Sequence, residues 1–366
     1  MTLMKPTQAL HALGQSLWLD NITRTLLDDG TLARYIRDLD VTGLTSNPTI
    51  FEHAIGKSTA YDASIAQLAR QGLRGEALFF ELALQDLRRA ADLFKPTFDC
   101  THGADGWVSL EVSPLLAHDA AGTIAAAADL HARADRPNLF IKIPGTAEGV
   151  EAIEATIFAG IPVNVTLLFS RKQYQAAADA YLRGIERRIE KGLDPKVRSV
   201  ASLFVSRWDV AANEVLPTPL HNQLGMAIAE KTFQAWWEIL GSARWVAAHN
   251  AGAHRQRLLW ASTGVKDPRA PDTMYVQGLA APDTINTMPE ATLLGFADHG
   301  RAGAALAIED SEADEIIAKC RAAGVDDEEM AARLQIEGAE AFAASWKKLL
   351  DGIAAKVAAL DPEHAS

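Results

Sequence analysis

The sequence predicts an α/β fold: a closed (β/α)8 TIM barrel with an inserted helical pair and a C-terminal helical extension. Three observations lead there. Eight short β-type runs recur along the 366 residues, amphipathic helical stretches lie between most of them, and further helical pattern follows the eighth. Parallel neighbours need a crossover of a dozen or more residues, so strands alternating with helices imply a parallel sheet, and eight such units can close it.

The runs are Ser16 to Asp20, Val41 to Thr45, Trp107 to Val112, Leu139 to Ile143, Val163 to Phe169, Val200 to Val205, Arg257 to Ala261 and Met274 to Gln277. The clearest helix follows the fifth, where Tyr174, Ala178, Tyr181, Leu182, Ile185 and Ile189 keep the 3- and 4-residue spacing of one face. Two places depart from the repeat. Residues 46 to 106 hold two helical stretches, around Tyr61 to Arg70 and Gly75 to Phe94, so that crossover is oversized. Residues 262 to 272 offer eleven positions that include Gly264, Pro268 and Pro271, so an irregular crossover is expected there. After the eighth run come Pro289 to His299, a shorter helix near Glu312 to Ala323 and a long helix from about Asp326 to Leu360. The long helix carries an apolar stripe of Met330, Leu334, Ile336, Phe342, Trp346, Leu349, Leu350, Ile353 and Val357. No linker rich in Gly, Ser and Pro precedes it, so residues 1–366 are expected to form one domain whose extension, from about residue 289, packs on the barrel.

Composition narrows the function. With 35 Lys plus Arg against 47 Asp plus Glu, the formal charge is −12, which argues against a general nucleic-acid or anionic-membrane binder. An anionic substrate needs a local basic pocket. Cys100 and Cys320 are too few for a disulfide framework, and no run approaches the ~20 apolar residues of a membrane span, so a cytoplasmic protein is expected. No HExxH or paired CxxC occurs, so no metal is assigned. Gly56-Lys57-Ser58 imitates the end of a P-loop, but position 51, where its first glycine belongs, is Phe51. Trp236, Trp237 and Trp245 have helical spacing and suit a core or a subunit contact, which leaves a homo-oligomer open.

Polar residues gather where the strands end: Asp20; Thr45, Ser46 and Asn47; Glu111; Lys142; Asn164 and Thr166; then Ser202, Arg207 and Ser262. In an α/β barrel those ends converge on one mouth. Lys142 stands in Phe140-Ile141-Lys142-Ile143-Pro144, apolar on both sides. It reads equally as a solvent-facing edge lysine or as a functional amine, but a closed barrel has no edge and favours function. Burying an amine penalises its charged form and opens a neutral nucleophile that condenses with carbonyls. Asp20 and Glu111 are either the acid and base such chemistry needs or a cap and a structural ion pair.

These segments resemble the transaldolase family. SLWLDNITR at 16 to 24, TGLTSNPTIF at 42 to 51, SLEVSP at 109 to 114 and FIKIPGTAEG at 140 to 149 carry the likeness. PVNVTLLFS at 162 to 170, LFVSRWD at 203 to 209, WASTGVKDP at 260 to 268 and DTINTMPEATL at 283 to 293 continue it in family order, nearest to the longer branch found in actinobacteria. The resemblance implies a dihydroxyacetone transfer between sugar phosphates in the pentose phosphate pathway, with no external cofactor. It makes Lys142 the Schiff-base lysine and Asp20 the acid/base at the C4 hydroxyl, with Glu111 and Thr166 handling a proton-shuttling water. Asn47, Asn164 and Ser202 would contact the dihydroxyacetone unit, and Arg207 with Ser262 the phosphate. Many relatives carry a second arginine where this sequence has Gly264, and Lys266 is the replacement cation. Fructose 6-phosphate aldolases of this fold carry glutamine and tyrosine where this sequence has Glu111 and Phe204, a contrast that favours transfer over simple aldol cleavage or a silent phosphosugar-binding barrel.

Overall fold

The computed structural model describes residues 4–303, 305–306 and 312–360. Eight parallel strands close a barrel in chain order: β1 (Ser16–Asp20), β2 (Val41–Thr45), β3 (Trp107–Glu111), β4 (Leu139–Pro144), β5 (Val163–Leu168), β6 (Ser199–Phe204), β7 (Arg257–Ala261) and β8 (Ile285–Met288), with β8 pairing back to β1. Seven strands fall where the sequence puts them. The eighth does not: Met274–Gly278 is a short helix, and the closing strand is Ile285–Met288. Its Asn286 and Thr287 look unlike strand core, yet both are buried, and each finds a partner: Thr263 Oγ1 donates to Asn286 Oδ1 over 2.8 Å, and Thr287 shares a 2.7 Å hydroxyl contact with Thr45. The crossover before it therefore runs from residue 262 to 284.

The insertion after β2 holds three helices rather than two, Pro48–Gly56, Asp62–Arg70 and Gly75–Cys100. The first is set by Asn47, whose side-chain oxygen accepts from the Ile50 amide over 3.0 Å, and by Pro48 at the first helical position. The helix Asp327–Leu360 lies against all three inserted helices and against β5. Thr49 and Ser345 hydroxyls meet at 2.8 Å, Trp346 Nε1 donates to Glu76 Oε1 at 2.7 Å, and Gln335 Nε2 donates to the carbonyls of Gly145 and Leu167, each at 2.9 Å. The apolar stripe faces this packing, except that Ile336 is 56% exposed: it is adjacent to Gln335 and falls off the buried face. Among the described residues, no helix is long and apolar enough to cross a membrane.

Strand alternation builds the interior in layers. Trp18, Trp107, Phe140, Val200, Leu259 and Ile285 pack together as an apolar floor, with Trp107 stacked on Phe140 at 4.0 Å between centroids. Two residues further along their strands, the same inward face carries Asp20, Lys142, Ser202, Ala261 and Thr287, all on the wall of one cavity. The pleat thus sets reactive groups directly above a dry floor.

Gly43 is required by that floor, because a Cβ there would lie 2.6 Å from the Trp18 indole and 2.7 Å from the Trp107 carbonyl oxygen. Gly43→Ala is expected to cost about 2 kcal/mol of stability through overpacking, seen as a lower denaturation midpoint. An unchanged midpoint would contradict this account of the floor.

Candidate active site

Lys142 sits in register between Glu111 on β3 and Asn164 on β5, so three inward side chains line up across adjacent strands. It is 4% exposed, and its Nζ donates to Glu111 Oε2 at 3.0 Å and to the Ser46 carbonyl at 3.2 Å. The apolar sequence neighbours Ile141 and Ile143 point the other way, into the layer shared with the surrounding helices. The amine is therefore dried by its depth in the barrel and not by its apolar sequence neighbours, and it faces polar partners. Burial pushes the Glu111 carboxyl above the usual carboxylate range, and the Lys142 charge works against that rise.

Asp20 ends β1 and pairs in register with Thr45, whose hydroxyl donates to Asp20 Oδ1 at 2.7 Å. That hydroxyl has one proton, so in its contact with Thr287 it is Thr287 that donates. Burial raises the Asp20 carboxyl as well, opposed by Lys142, by the Thr45 hydrogen bond and by Arg207 and Lys266. Both carboxyls thus feel the same two cations, Lys142 and Arg207, but different hydrogen-bond partners hold them: Thr45 for Asp20 and Lys142 for Glu111.

Asn164 is fully buried: its Nδ2 donates to Ser109 Oγ at 3.0 Å and its Oδ1 accepts from Ser202 Oγ at 2.7 Å. Thr166 Oγ1 is buried on the cavity wall without a hydrogen-bond partner among the described residues. Just beyond it the β5–β6 register slips and Leu167 takes a left-handed φ of 57°, a local irregularity of the kind that clusters at functional sites.

The opposite side of the mouth is cationic. The Arg207 guanidinium lies 5.1 Å from the Phe204 ring centre and 5.8 Å from that of Phe342, and it donates to no described residue, so its fork is left for a ligand. Ser262, at a left-handed φ of 56°, shares a 2.8 Å hydroxyl contact with Ser206. Lys266 reaches the wall from the exposed rim. A Cβ on Gly264 would come within 3.1 Å of Pro289, so a longer side chain there meets that ring.

Of the ten residues singled out from sequence, Asp20, Asn47, Lys142, Thr166, Ser202, Arg207, Ser262 and Lys266 line this cavity. Glu111 lies against Lys142, and Asn164 lies beneath Ser202. Asn47 spends its oxygen on the helix cap, so what it has to offer a ligand is its NH2. Sequence reasoning missed Phe342, which sits 5.6 Å from Lys142 Nζ, and Thr287. Phe342 gave no signal beyond an aromatic at helix spacing, and Thr287 lay in the unread eighth strand. No group of His, Cys, Asp and Glu among the described residues is arranged to hold a metal ion.

One dry amine, two separately held carboxyls and an anion-facing fork form a set suited to imine chemistry on a phosphorylated carbonyl compound. The comparisons with known proteins agree with that chemistry. The model of the Transaldolase/Fructose-6-phosphate aldolase family matches residues 17–353. A transaldolase of Renibacterium salmoninarum is 44% identical over 95% of this chain and 95% of its own, and one of Thermobifida fusca is 44% identical over 97% and 99%. A transaldolase of Mycolicibacterium smegmatis is 44% identical over 94% of this chain and 95% of its own. From β1 to the late turns of the last helix, this chain belongs to the transaldolase/fructose-6-phosphate aldolase family.

Proposed function

We propose that this protein is a transaldolase, moving a dihydroxyacetone unit from a ketose phosphate to an aldose phosphate through a Schiff base on Lys142. The observation that carries this reading is Lys142, held at 3.0 Å by Glu111 behind it, on the wall of a cavity that Asp20 also lines and that Arg207 enters with no hydrogen bond to a described residue.

The neutral Lys142 amine attacks the ketose C2, and the carbinolamine loses water to give an iminium. Glu111 carries the proton that shuttles to and from that water, together with the Thr166 hydroxyl, which shares the cavity wall with Lys142 and has no partner among the described residues. Asp20 takes the proton of the C4 hydroxyl, the C3–C4 bond breaks, and its electron pair moves into the iminium to give an enamine. The aldose leaves, a second aldehyde enters, and the steps reverse. Asn47, Ser202 and, through Ser202, Asn164 orient the hydroxyls, while Arg207, Ser262 and Lys266 hold the phosphate. Phe204 has no hydroxyl with which to protonate the enamine, which supports transfer over release of free dihydroxyacetone. The sugar phosphates of the pentose phosphate pathway fit this site, and a cytosolic setting is supported by the free Cys100 and Cys320.

Borohydride added with fructose 6-phosphate is expected to label Lys142 alone, and Lys142→Ala is expected to abolish turnover with the fold intact. Peptide mapping that finds the label elsewhere would sink the mechanism. Glu111→Gln is expected to slow transfer by about 10²-fold and to raise the share of free dihydroxyacetone; an unchanged product ratio would remove Glu111 from the water step.

Asp20 also links activity to stability. Its folded pKa is raised, so below the ordinary carboxyl value of ~3.9 both states are neutral, and as pH rises the folded state is penalised for the charge it must carry. Asp20→Asn is therefore expected to lose carbon–carbon cleavage yet melt higher than the parent at pH 7, the gain fading as pH falls toward about 4. A variant that melts lower at pH 7 would show that the Lys142 attraction outweighs burial.

A further inference from the structure

The two ends of the cavity are bridged by a residue that belongs to neither barrel nor loop. Phe342 is carried on the helix Asp327–Leu360, is 4% exposed, and presents its ring 5.6 Å from Lys142 Nζ and 5.8 Å from the Arg207 guanidinium carbon. Four residues earlier on the same helix, Gly338 lets the guanidinium come close: a Cβ there would lie 3.1 Å from Arg207 Nη1 and 3.0 Å from Leu167. Three residues before that, Gln335 fastens the helix to the Gly145 and Leu167 carbonyls at the ends of β4 and β5. The extension thus delivers one ordered face, Gln335, Gly338 and Phe342, to the mouth.

Arg207 itself is tied down by little else. It has no hydrogen bond to a described residue, and it lies 5.1 Å from the Phe204 ring centre and 5.8 Å from that of Phe342 while attracted toward Glu111, Asp20 and Glu337. Glu111 and Asp20 attract it more strongly than the exposed Glu337, so without the second ring no side chain but Phe204 holds the guanidinium at the rim against the pull of the two site carboxyls. The Phe342 ring attracts the guanidinium and the Lys142 ammonium alike, which offsets part of their mutual repulsion.

We propose that Phe342 is a positioning residue for the phosphate end of the substrate: its ring pins Arg207 against Phe204 and so fixes where the phosphate lies relative to the Lys142 amine. This rests on the roles assigned above to Lys142 and Arg207. It makes the C-terminal extension part of substrate selection, with phosphorylated donors distinguished from unphosphorylated ones by a residue outside the barrel.

The test compares two ligands that differ in the phosphate. Borohydride trapping at Lys142 is followed against concentration for fructose 6-phosphate and for dihydroxyacetone. Phe342→Leu, which keeps apolar bulk but loses the π face, is expected to raise the half-saturating fructose 6-phosphate concentration about tenfold. Dihydroxyacetone should stay within about twofold, and Phe342→Tyr should restore the parent value. In an Arg207→Ala background, Phe342→Leu should add less than about twofold. Should the leucine variant fail to fold, Phe342→Met takes its place. Equal weakening for both ligands, or no weakening for either, would overturn the proposal. Absence of any label on Lys142 in the parent protein would instead overturn the Schiff-base reading beneath it.

Discussion

The site depends on a lysine amine and a glutamate carboxyl meeting at 3.0 Å where water scarcely reaches, at 4% and 6% exposure. Removing either partner strands the other as an uncompensated polar group, and the effective cost of a buried ion is several kcal/mol. Such a pair stays only where the surrounding structure over-determines it. Here β3 and β4 hold Glu111 and Lys142 as register partners, the floor of Trp18, Trp107 and Phe140 closes the space below, and the Ser46 carbonyl takes a second proton of the amine. On an open sheet the amine would turn to solvent. Closure of the barrel keeps the contact turned inward onto the cavity, where the proposed chemistry needs it.

Around that pair the labour divides by the kind of element. Strands carry the groups whose spacing must be rigid: Asp20, Glu111, Lys142, Asn164, Thr166 and Ser202 all lie within β1 to β6. The anion-facing groups come from segments beyond the strand ends, Arg207 from the short helix after β6, and Ser262 and Lys266 from the stretch after β7. Bond making and breaking tolerates far less misplacement than the grip on a remote phosphate, so loops and extensions can vary while the pleat fixes the chemistry.

Legibility from sequence followed the same line. Strand periodicity and strand-end polarity were enough to find seven strands and to gather seven of the eight cavity-lining candidates, while Lys266 came from the family resemblance. β8 escaped because the Asn286 oxygen and the Thr287 hydroxyl pair with Thr263 and Thr45, partners more than twenty residues away that no local pattern reveals. Asn47 looked free for substrate, but its oxygen caps the helix that starts at Pro48. Lys142 looked surrounded by isoleucines, but alternation turns those outward and a carboxylate inward. Phe342 was indistinguishable from its stripe mates Met330 and Leu334, because helix spacing says that a side chain is buried and not what it is buried against. Except for Asn47, whose cap partner Ile50 is three residues away, the hidden information was the identity of a distant partner.

Raised carboxyls create a conflict that the geometry has to resolve. A carboxyl whose proton affinity burial raises is a better donor to an oxygen, and it is equally better able to protonate an enamine carbon, which ends the transfer and releases dihydroxyacetone. In the proposed mechanism Asp20 has just taken the C4 proton when the enamine exists, so an acid is present at the worst moment. Thr45 answers this by donating to Asp20 Oδ1, which engages that oxygen and restrains the carboxyl at the end of β1. Glu111 is restrained from the other side by Lys142, whose nitrogen is part of the enamine itself. Phe204, on the same cavity wall, adds no phenolic proton donor, so in the proposed mechanism the arriving aldehyde meets an enamine whose two neighbouring carboxyls are engaged by Thr45 and Lys142.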